Sequence, residues 1–401
     1  PLITEAAQEI HKEMRKVWPA SVRLSGPLAS RLHSYTAHTK KTPHYIVRLR
    51  ETKKLRDTLA RQGVCVLHGY GGSGKSTLAH YYADSATKSA VEQIVWFVSS
   101  DSPDKVQVAF QDIAQKLGID YKAILEVWKP YLRKYRRELS RAIYDALEEN
   151  GQCLHLILDN AGADVDALVG DFVSQRPSHK VKIIITTRDP IAFADYEKVA
   201  LSDFHLKEAI AYAEQRLKSM PGRFPEVLSS AAKQLVEVVG HTPLELDLAM
   251  GFLQQNKLYT IAHYAKASQS FKEATYIQLR LNAIPEVDMA LATLDKLQQQ
   301  VMYYSTSLNA SFIPWSLLEA LLEKSEDKLL EILKPLERLS LVTMLTEDKG
   351  ISINQSVQDS CQTYRGWKTK TDFDDTVLSS RLVQVLSDMM SWAEASPNIY
   401  W

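Results

Sequence analysis

Val64-Cys65-Val66-Leu67-His68-Gly69-Tyr70-Gly71-Gly72-Ser73-Gly74-Lys75-Ser76-Thr77 is the stretch that decides the fold. Val64 to His68 predicts a buried strand, the glycines a turn, and Lys75 through Leu78-Ala79-His80-Tyr81-Tyr82 the start of a helix. Gly69 to Ser76 fits G-x-x-x-x-G-K-[ST], the P-loop pattern. A polyphosphate must lie against backbone N–H groups, so the loop needs residues without Cβ where the chain curls round it. Gly69, Gly71, Gly72 and Gly74 supply them, with Ser73 inside the same loop. The helix that begins near Lys75 would point its positive end at the phosphates. Lys75 can reach the β- and γ-phosphates, the Ser76 hydroxyl can ligate Mg²⁺, and the Thr77 hydroxyl and N–H can meet the α-phosphate. The competing reading is a glycine-rich turn that fits by chance; the strand before it and the helix after it argue against that.

The whole chain has 401 residues, enough for two to four domains. Hydrophobic residues make up 45% and charged residues 24%, the balance of a globular protein with a large core. Lys+Arg and Asp+Glu are equal at 48 each, so net charge argues neither for nor against a polyanionic partner. No apolar run approaches the length of a membrane span, and no signal peptide is visible at the start. The sequence opens at Pro1 rather than Met, as expected of a trimmed chain, which leaves a removed targeting segment open as an alternative. Cys65, Cys153 and Cys361 lack metal-ligand spacing. Two lie in expected core strands and read as small buried apolar residues, which fits a reducing, cytoplasmic setting.

Outward from the glycine loop, residues 1–44 form an N-terminal segment. Ile10, Met14 and Trp18 share a face of a helix over Ile3–Trp18, and a connector runs to Thr42-Pro43-His44. Residues 45–203 read as βα units, with a helix from Arg50 to Leu59 ahead of the first strand. The expected strands are Val64–His68, Ile94–Val98, Leu154–Leu158, Val181–Thr186 and a weaker Lys198–Leu201, separated by helices such as Val106–Leu117 and Arg136–Glu149. Continuous apolar strands in βα alternation predict a five-stranded parallel sheet covered on both faces, with ligands bound outside the carboxyl ends of its strands. Residues 204–295 hold short helices at Leu206–Leu217, Glu226–Val239, Pro243–Gln255 and from Ile261 onward, and read as an all-α domain. Over 296–369, helices at Trp315–Glu323 and Asp327–Leu339 precede a hairpin from Leu341 to Ile353, the order of a winged helix. Residues 370–401 begin a further helical region, Thr376–Glu394. No internal repeat is visible.

Leu154-His155-Leu156-Ile157-Leu158-Asp159-Asn160 is an apolar strand that ends in an acid. After a P-loop, such an Asp holds Mg²⁺ opposite the Ser76 hydroxyl; alone it would be an ordinary turn residue. Asn160 stands where many working ATPases carry a Glu that activates water, so slow turnover is expected unless Asp164 or another acid substitutes. Val181 to Arg188 is a second apolar strand ending in Thr186-Thr187-Arg188. A parallel sheet would bring Arg188 to the P-loop edge, where a guanidinium can sense the γ-phosphate; the alternative is an Arg at a strand end in solvent. Lys75, Asp159 and Arg188 are therefore the expected catalytic set, with Ser76 and Asp159 on the metal. Pro243, in Gly240-His241-Thr242-Pro243-Leu244, fits the first turn of a helix. Tyr131-Leu132-Arg133-Lys134-Tyr135-Arg136-Arg137 is basic with interleaved aromatics, and a solvated helix face is favoured over a nucleic-acid contact.

Taken together, the P-loop, the Asp-Asn strand, the Thr-Thr-Arg strand, the Gly-x-x-Pro-Leu element and the winged helix resemble, over residues 44–369, the NB-ARC branch of the STAND signal-transduction ATPases. That family includes apoptosome-forming adaptors and plant resistance proteins. Leu158-Asp159-Asn160-Ala161 and Ile185-Thr186-Thr187-Arg188-Asp189-Pro190 look most like bacterial and fungal members with tetratricopeptide repeats. The resemblance implies that Val47-Arg48-Leu49-Arg50-Glu51 matches the family's h-G-R-E entry segment, with Leu49 for Gly, and that Val47 and Arg50 border the adenine. It implies a nucleotide contact at Pro243. It places Asn354, in Ile353-Asn354-Gln355-Ser356-Val357-Gln358-Asp359, where the family has a His on the β-phosphate of ADP; Asn keeps a hydrogen bond there without charge. The implied function is an ATP/ADP switch that self-associates when ATP replaces ADP, senses a ligand or protein through a C-terminal region, and drives an effector domain as in innate-immunity and cell-death signalling. A turnover ATPase and a DNA-binding regulator are the competing readings. The acidic wing residues Glu347 and Asp348 and the neutral net charge give the DNA-binding reading little support.

Overall fold

The computed structural model describes residues 44–87, 93–149, 153–173, 180–220, 228–277, 283–346, 348–364, 367 and 375–395. The helix expected over Ile3–Trp18, the connector to Pro43, and Glu347 lie outside the described residues. The chain divides into two compact units between Ser202 and Asp203.

The first unit runs α1 (Leu49–Gln62), β1 (Val64–His68), α2 (Lys75–Thr87), β2 (Gln93–Ser99), α3 (Pro103–Lys116), α4 (Tyr121–Trp128), α5 (Leu132–Glu149), β3 (Cys153–Asp159), α6 (Asp166–Val173), β4 (Val181–Thr187) and β5 (Lys198–Ala200). The five strands form one sheet in the order β2-β3-β4-β1-β5, and every pairing is parallel. Alternate residues of each strand enter different cores, because side chains along a strand point to opposite faces. Val64, Val66, Leu156, Ile183 and Ile185 pack with Phe110, Tyr144 and Phe172 of the helices on one face. Cys65, Leu67, Ile157 and Ile184 pack with Leu55, Leu59 and Leu78 on the other. Both faces are buried, so the strands are largely apolar rather than alternating. The register pairs His68 with Thr187 and Ser99 with Asp159, which brings the carboxyl ends of β1, β3 and β4 to one edge.

Two local features were not foreseen. Helix α4 is started by Asp120, whose side chain accepts the amides of Lys122 and Ala123, both at 3.1 Å. Helix α5 begins at Leu132 rather than Arg136, so most of the basic run lies on a helix.

The second unit runs α7 (Leu206–Lys218), α8 (Leu228–Val239), α9 (Pro243–Gln255), α10 (Ile261–Ile277), α11 (Pro285–Thr293), α12 (Lys296–Ser305), β6 (Ile313–Pro314), α13 (Trp315–Leu322), α14 (Glu326–Arg338), β7 (Thr343–Leu345), β8 (Gly350–Ser352), α15 (Gln355–Thr363) and α16 (Asp375–Ala395). Pro243 and Pro285 open α9 and α11, where a missing N–H costs nothing. Asp295 and Gln298 form a reciprocal capping box at α12. Strands β6, β8 and β7 make a small antiparallel sheet in that order. The hairpin was expected; β6, which pairs Ile313 with Ile351, was not.

Candidate functional site

The glycine loop joins β1 to α2. Gly69, Gly72 and Gly74 have φ of 156°, 81° and 92°, conformations that a side chain disfavours. Gly71 is not among the positive-φ positions, so its expected conformational task falls to the other three. At Gly69 a Cβ would also stand 2.3 Å from the Leu201 carbonyl oxygen, since the chain leaving β5 runs against the loop. The loop curls inward enough to bury Ser73 completely, and its Oγ has no hydrogen-bond partner.

Lys75 is 8% exposed. Its Nζ donates to the carbonyls of Gly69 and Tyr70, both at 2.8 Å, and so stays inside the curl. Burial pushes its pKa down to about 8; the Arg188 charge adds to that, and the Asp159 carboxylate opposes it. The Arg188 side chain itself is exposed. Ser76 donates its hydroxyl to Asp159 Oδ1 at 2.8 Å, joining the first turn of α2 to the end of β3. Thr77 follows, half-buried, on the same turn. The loop from Gly69 to Thr77, Asp159 and Arg188 are thus gathered at the carboxyl edge of the sheet.

Two residues that the sequence reading passed over hold this edge together. Arg48 is 2% exposed. Its Nη1 donates to the Ser73 carbonyl at 3.1 Å and its Nη2 to the Ser202 carbonyl at 3.0 Å. Val47 and Arg50, the members of that segment singled out beforehand, are exposed. A stack of Tyr45 on Tyr81, with centroids 4.4 Å apart, pins the same segment to α2. Thr186 is the second residue; its hydroxyl donates to Asp159 Oδ1 at 2.5 Å and accepts from the Asn160 amide at 2.9 Å.

Pro243 and Asn354 belong to the second unit. Pro243 is the first residue of α9. Asn354 is exposed and caps α15, its Oδ1 accepting the Ser356 amide at 2.9 Å.

A parallel sheet with a glycine loop at its carboxyl edge, a buried lysine in the curl and a hydroxyl–carboxylate pair beside it defines a P-loop nucleoside-triphosphatase domain. Residues 49–212 match the family model of the NB-ARC domain. Among solved structures, the chain is similar to a Signal Transduction ATPase with Numerous Domains (STAND) protein with a tetratricopeptide repeat sensor from Pyrococcus horikoshii. That likeness has 18% identity and a TM-score of 0.54, and covers 86% of this chain but 45% of that one. The chain therefore spans less than half the length of that protein, and the likeness shows the fold alone. Weaker likenesses, from which nothing is argued, are to a Walker-type ATPase of Pyrococcus abyssi (17% identity, TM-score 0.39, 79% of this chain and 95% of that one) and to the ORC2 protein of Aeropyrum pernix in its ADPNP–ADP complexes (14%, 0.41, 88% and 98%). No curated protein matches. Residues 49–212 carry an NB-ARC domain. No helix among the described residues is long and apolar enough to cross a membrane.

Proposed function

We propose that the chain is the core of a switch that binds ADP in a closed resting form, exchanges it for ATP, and then self-associates to engage an effector. The observation that carries this reading is the curled loop with Lys75 held inside it and Ser76 joined to Asp159. The loop fits a polyphosphate: it presents first-turn amides at the start of α2 and a buried Ser73 Oγ without a partner. A hydroxyl and a carboxylate side by side are the oxygen donors a hard cation such as Mg²⁺ prefers. Among the described residues no group of three or more His, Cys, Asp and Glu could hold a metal. The cation would therefore take the rest of its shell from phosphates and water, as Mg²⁺ commonly does. When bound, the nucleotide supplies the γ-phosphate that distinguishes the two states; Lys75 neutralises it, and Arg188 reads it.

The finer parts of this reading rest on the family. Residues 296–369 are proposed to be a winged helix, supported by the order helix, short strand, two helices and hairpin from α12 to β8. Asn354, at the exit of that hairpin, is proposed to meet the β-phosphate of ADP, Val47 and Arg50 to border the adenine, and Pro243 to contact the nucleotide. Asn160 carries no proton-accepting carboxylate, which favours a slow switch over an ATPase that turns over continuously.

The experiment is calorimetry of ADP and ATP on the parent and on Lys75→Ala, with steady-state hydrolysis on the parent. The expected outcome is that Lys75→Ala removes most of the binding and that turnover stays far below the median enzyme rate of about 10 s⁻¹. Unchanged affinity would reject the site, and turnover of several per second would reject the switch.

A further inference from the structure

Thr186 has no task in the function just proposed, yet it is 1% exposed and both its hydroxyl and its carbonyl are engaged at the site. Its hydroxyl donates to Asp159 Oδ1 at 2.5 Å and accepts from the Asn160 amide at 2.9 Å. Its carbonyl accepts the Ala161 amide at 2.8 Å. One residue of β4 thus holds three successive positions at the exit of β3. The middle one, Asn160, has φ of 60°, a left-handed conformation that needs support in a residue with a side chain. A hydroxyl has a single proton. Accepting from Asn160 leaves that proton for Asp159, and the short O–H···O distance is that of a charge-assisted bond.

Ser76 donates to the same Oδ1 at 2.8 Å. Both hydroxyls therefore grip one oxygen of the carboxylate, and none of the hydrogen bonds found among the described residues engages Oδ2. The two grips differ in kind. Ser76 is itself the candidate cation ligand, whereas Thr186 lies in the sheet, where its backbone is fixed by the β4 pairings. The Thr186 bond is the one that does not depend on what Ser76 does.

We propose that Thr186 is a positioning residue that sets the plane of the Asp159 carboxylate through Oδ1 and thereby presents Oδ2 to the shell of a divalent cation bound with the nucleotide. The inference rests on the P-loop reading above and adds to it a residue outside the loop and strand acid. Partners that orient a metal-site carboxylate in this way commonly change metal affinity by about 10–100-fold when removed.

The test is calorimetry of ADP across a Mg²⁺ series, with an EDTA arm, on the parent, Thr186→Val, Thr186→Ser and the double variant Thr186→Val/Asn160→Gly. Valine keeps the shape of threonine without the hydroxyl, and glycine at 160 removes the need to support a left-handed side-chain-bearing residue. The expected result is ADP affinity within about twofold of the parent in EDTA, and a half-saturating Mg²⁺ concentration raised roughly tenfold in Thr186→Val. Thr186→Ser restores it, and the double variant does not. A Mg²⁺ dependence that passes unchanged into Thr186→Val overturns the inference alone, as does full restoration by Asn160→Gly, which would make Thr186 a backbone support. A parent that binds ADP with no Mg²⁺ dependence overturns the inference together with the metal part of the site, and a parent that binds no ADP overturns the P-loop reading itself.

Discussion

His155 sits in the middle of β3, 3% exposed, with its Nδ1 unpartnered and its ring 5.5 Å from that of Tyr82. Burial pushes its pKa down to about 4, and Lys182, its register partner on β4, pushes the same way. The folded chain thus holds a neutral imidazole, while the unfolded chain takes up a proton near pH 6.5. The stability this contributes is complete above about pH 6.5 and is lost as the pH falls towards 4, by up to about 3 kcal/mol. Urea midpoints measured from pH 7.5 to 4.5 should fall with pH in the parent and fall less in His155→Leu; equal slopes would show that other groups dominate. The loop lysine, its serine and the strand acid were legible in the sequence because the chemistry fixes their spacing within a few residues. Arg48 and Thr186 were not. Their tasks are set by partners 25 and 27 residues away, and nothing in a single arginine or threonine announces which carbonyl or carboxylate it will meet.

Gly251 lies inside α9, where on propensity alone alanine would be about 1 kcal/mol better. The packing reverses that preference: a Cβ there would stand 2.6 Å from the Arg338 carbonyl oxygen and 2.8 Å from the Leu339 carbonyl carbon, at the end of α14. Gly251→Ala should therefore destabilise the second unit by about 1–3 kcal/mol. A thermal melt checks this, and a higher midpoint would mean that helix propensity wins over the contact. At this scale the strands and long helices could be read from periodicity, since burial on one or both faces imposes it. The two-residue β6 could not, because Ile313-Pro314 is too short to carry a period and exists through its pairing with β8. The basic run lies largely on a solvated helix face, as expected, with Arg133 exposed. What periodicity could not show is that Arg133 and Arg136 each reach Asp171 at 2.8 Å and Arg137 lies 3.5 Å from it, pairing the face with an almost wholly buried carboxylate on α6.

For the whole molecule, the proposed switch requires that one nucleotide be told from the other by a group only one of them carries. Arg188→Ala should lower ATP affinity roughly tenfold or more, the worth of one charge-assisted bond, and lower ADP affinity less. Since the Arg188 charge is one cause of the depressed Lys75 pKa, the variant should also raise the pH at which Lys75 loses its proton. Parallel calorimetric titrations decide; equal losses for both nucleotides would make Arg188 structural. The neutral net charge said nothing useful at this scale, because it sums over local clusters of either sign. The strand order bears on how the molecule comes to exist at all. Strand β1 lies between β4 and β5, with Val64 paired to Ile183 and Val66 to Lys198, so both neighbours come on the order of a hundred residues later in the chain. During synthesis β1 emerges early and stays unpaired while most of the first unit is made. The nucleotide loop that hangs from it can take shape only once β4 and β5 have been made, and until then Val64-Cys65-Val66-Leu67 is an apolar segment without its strand partners, the kind of segment that invites aggregation.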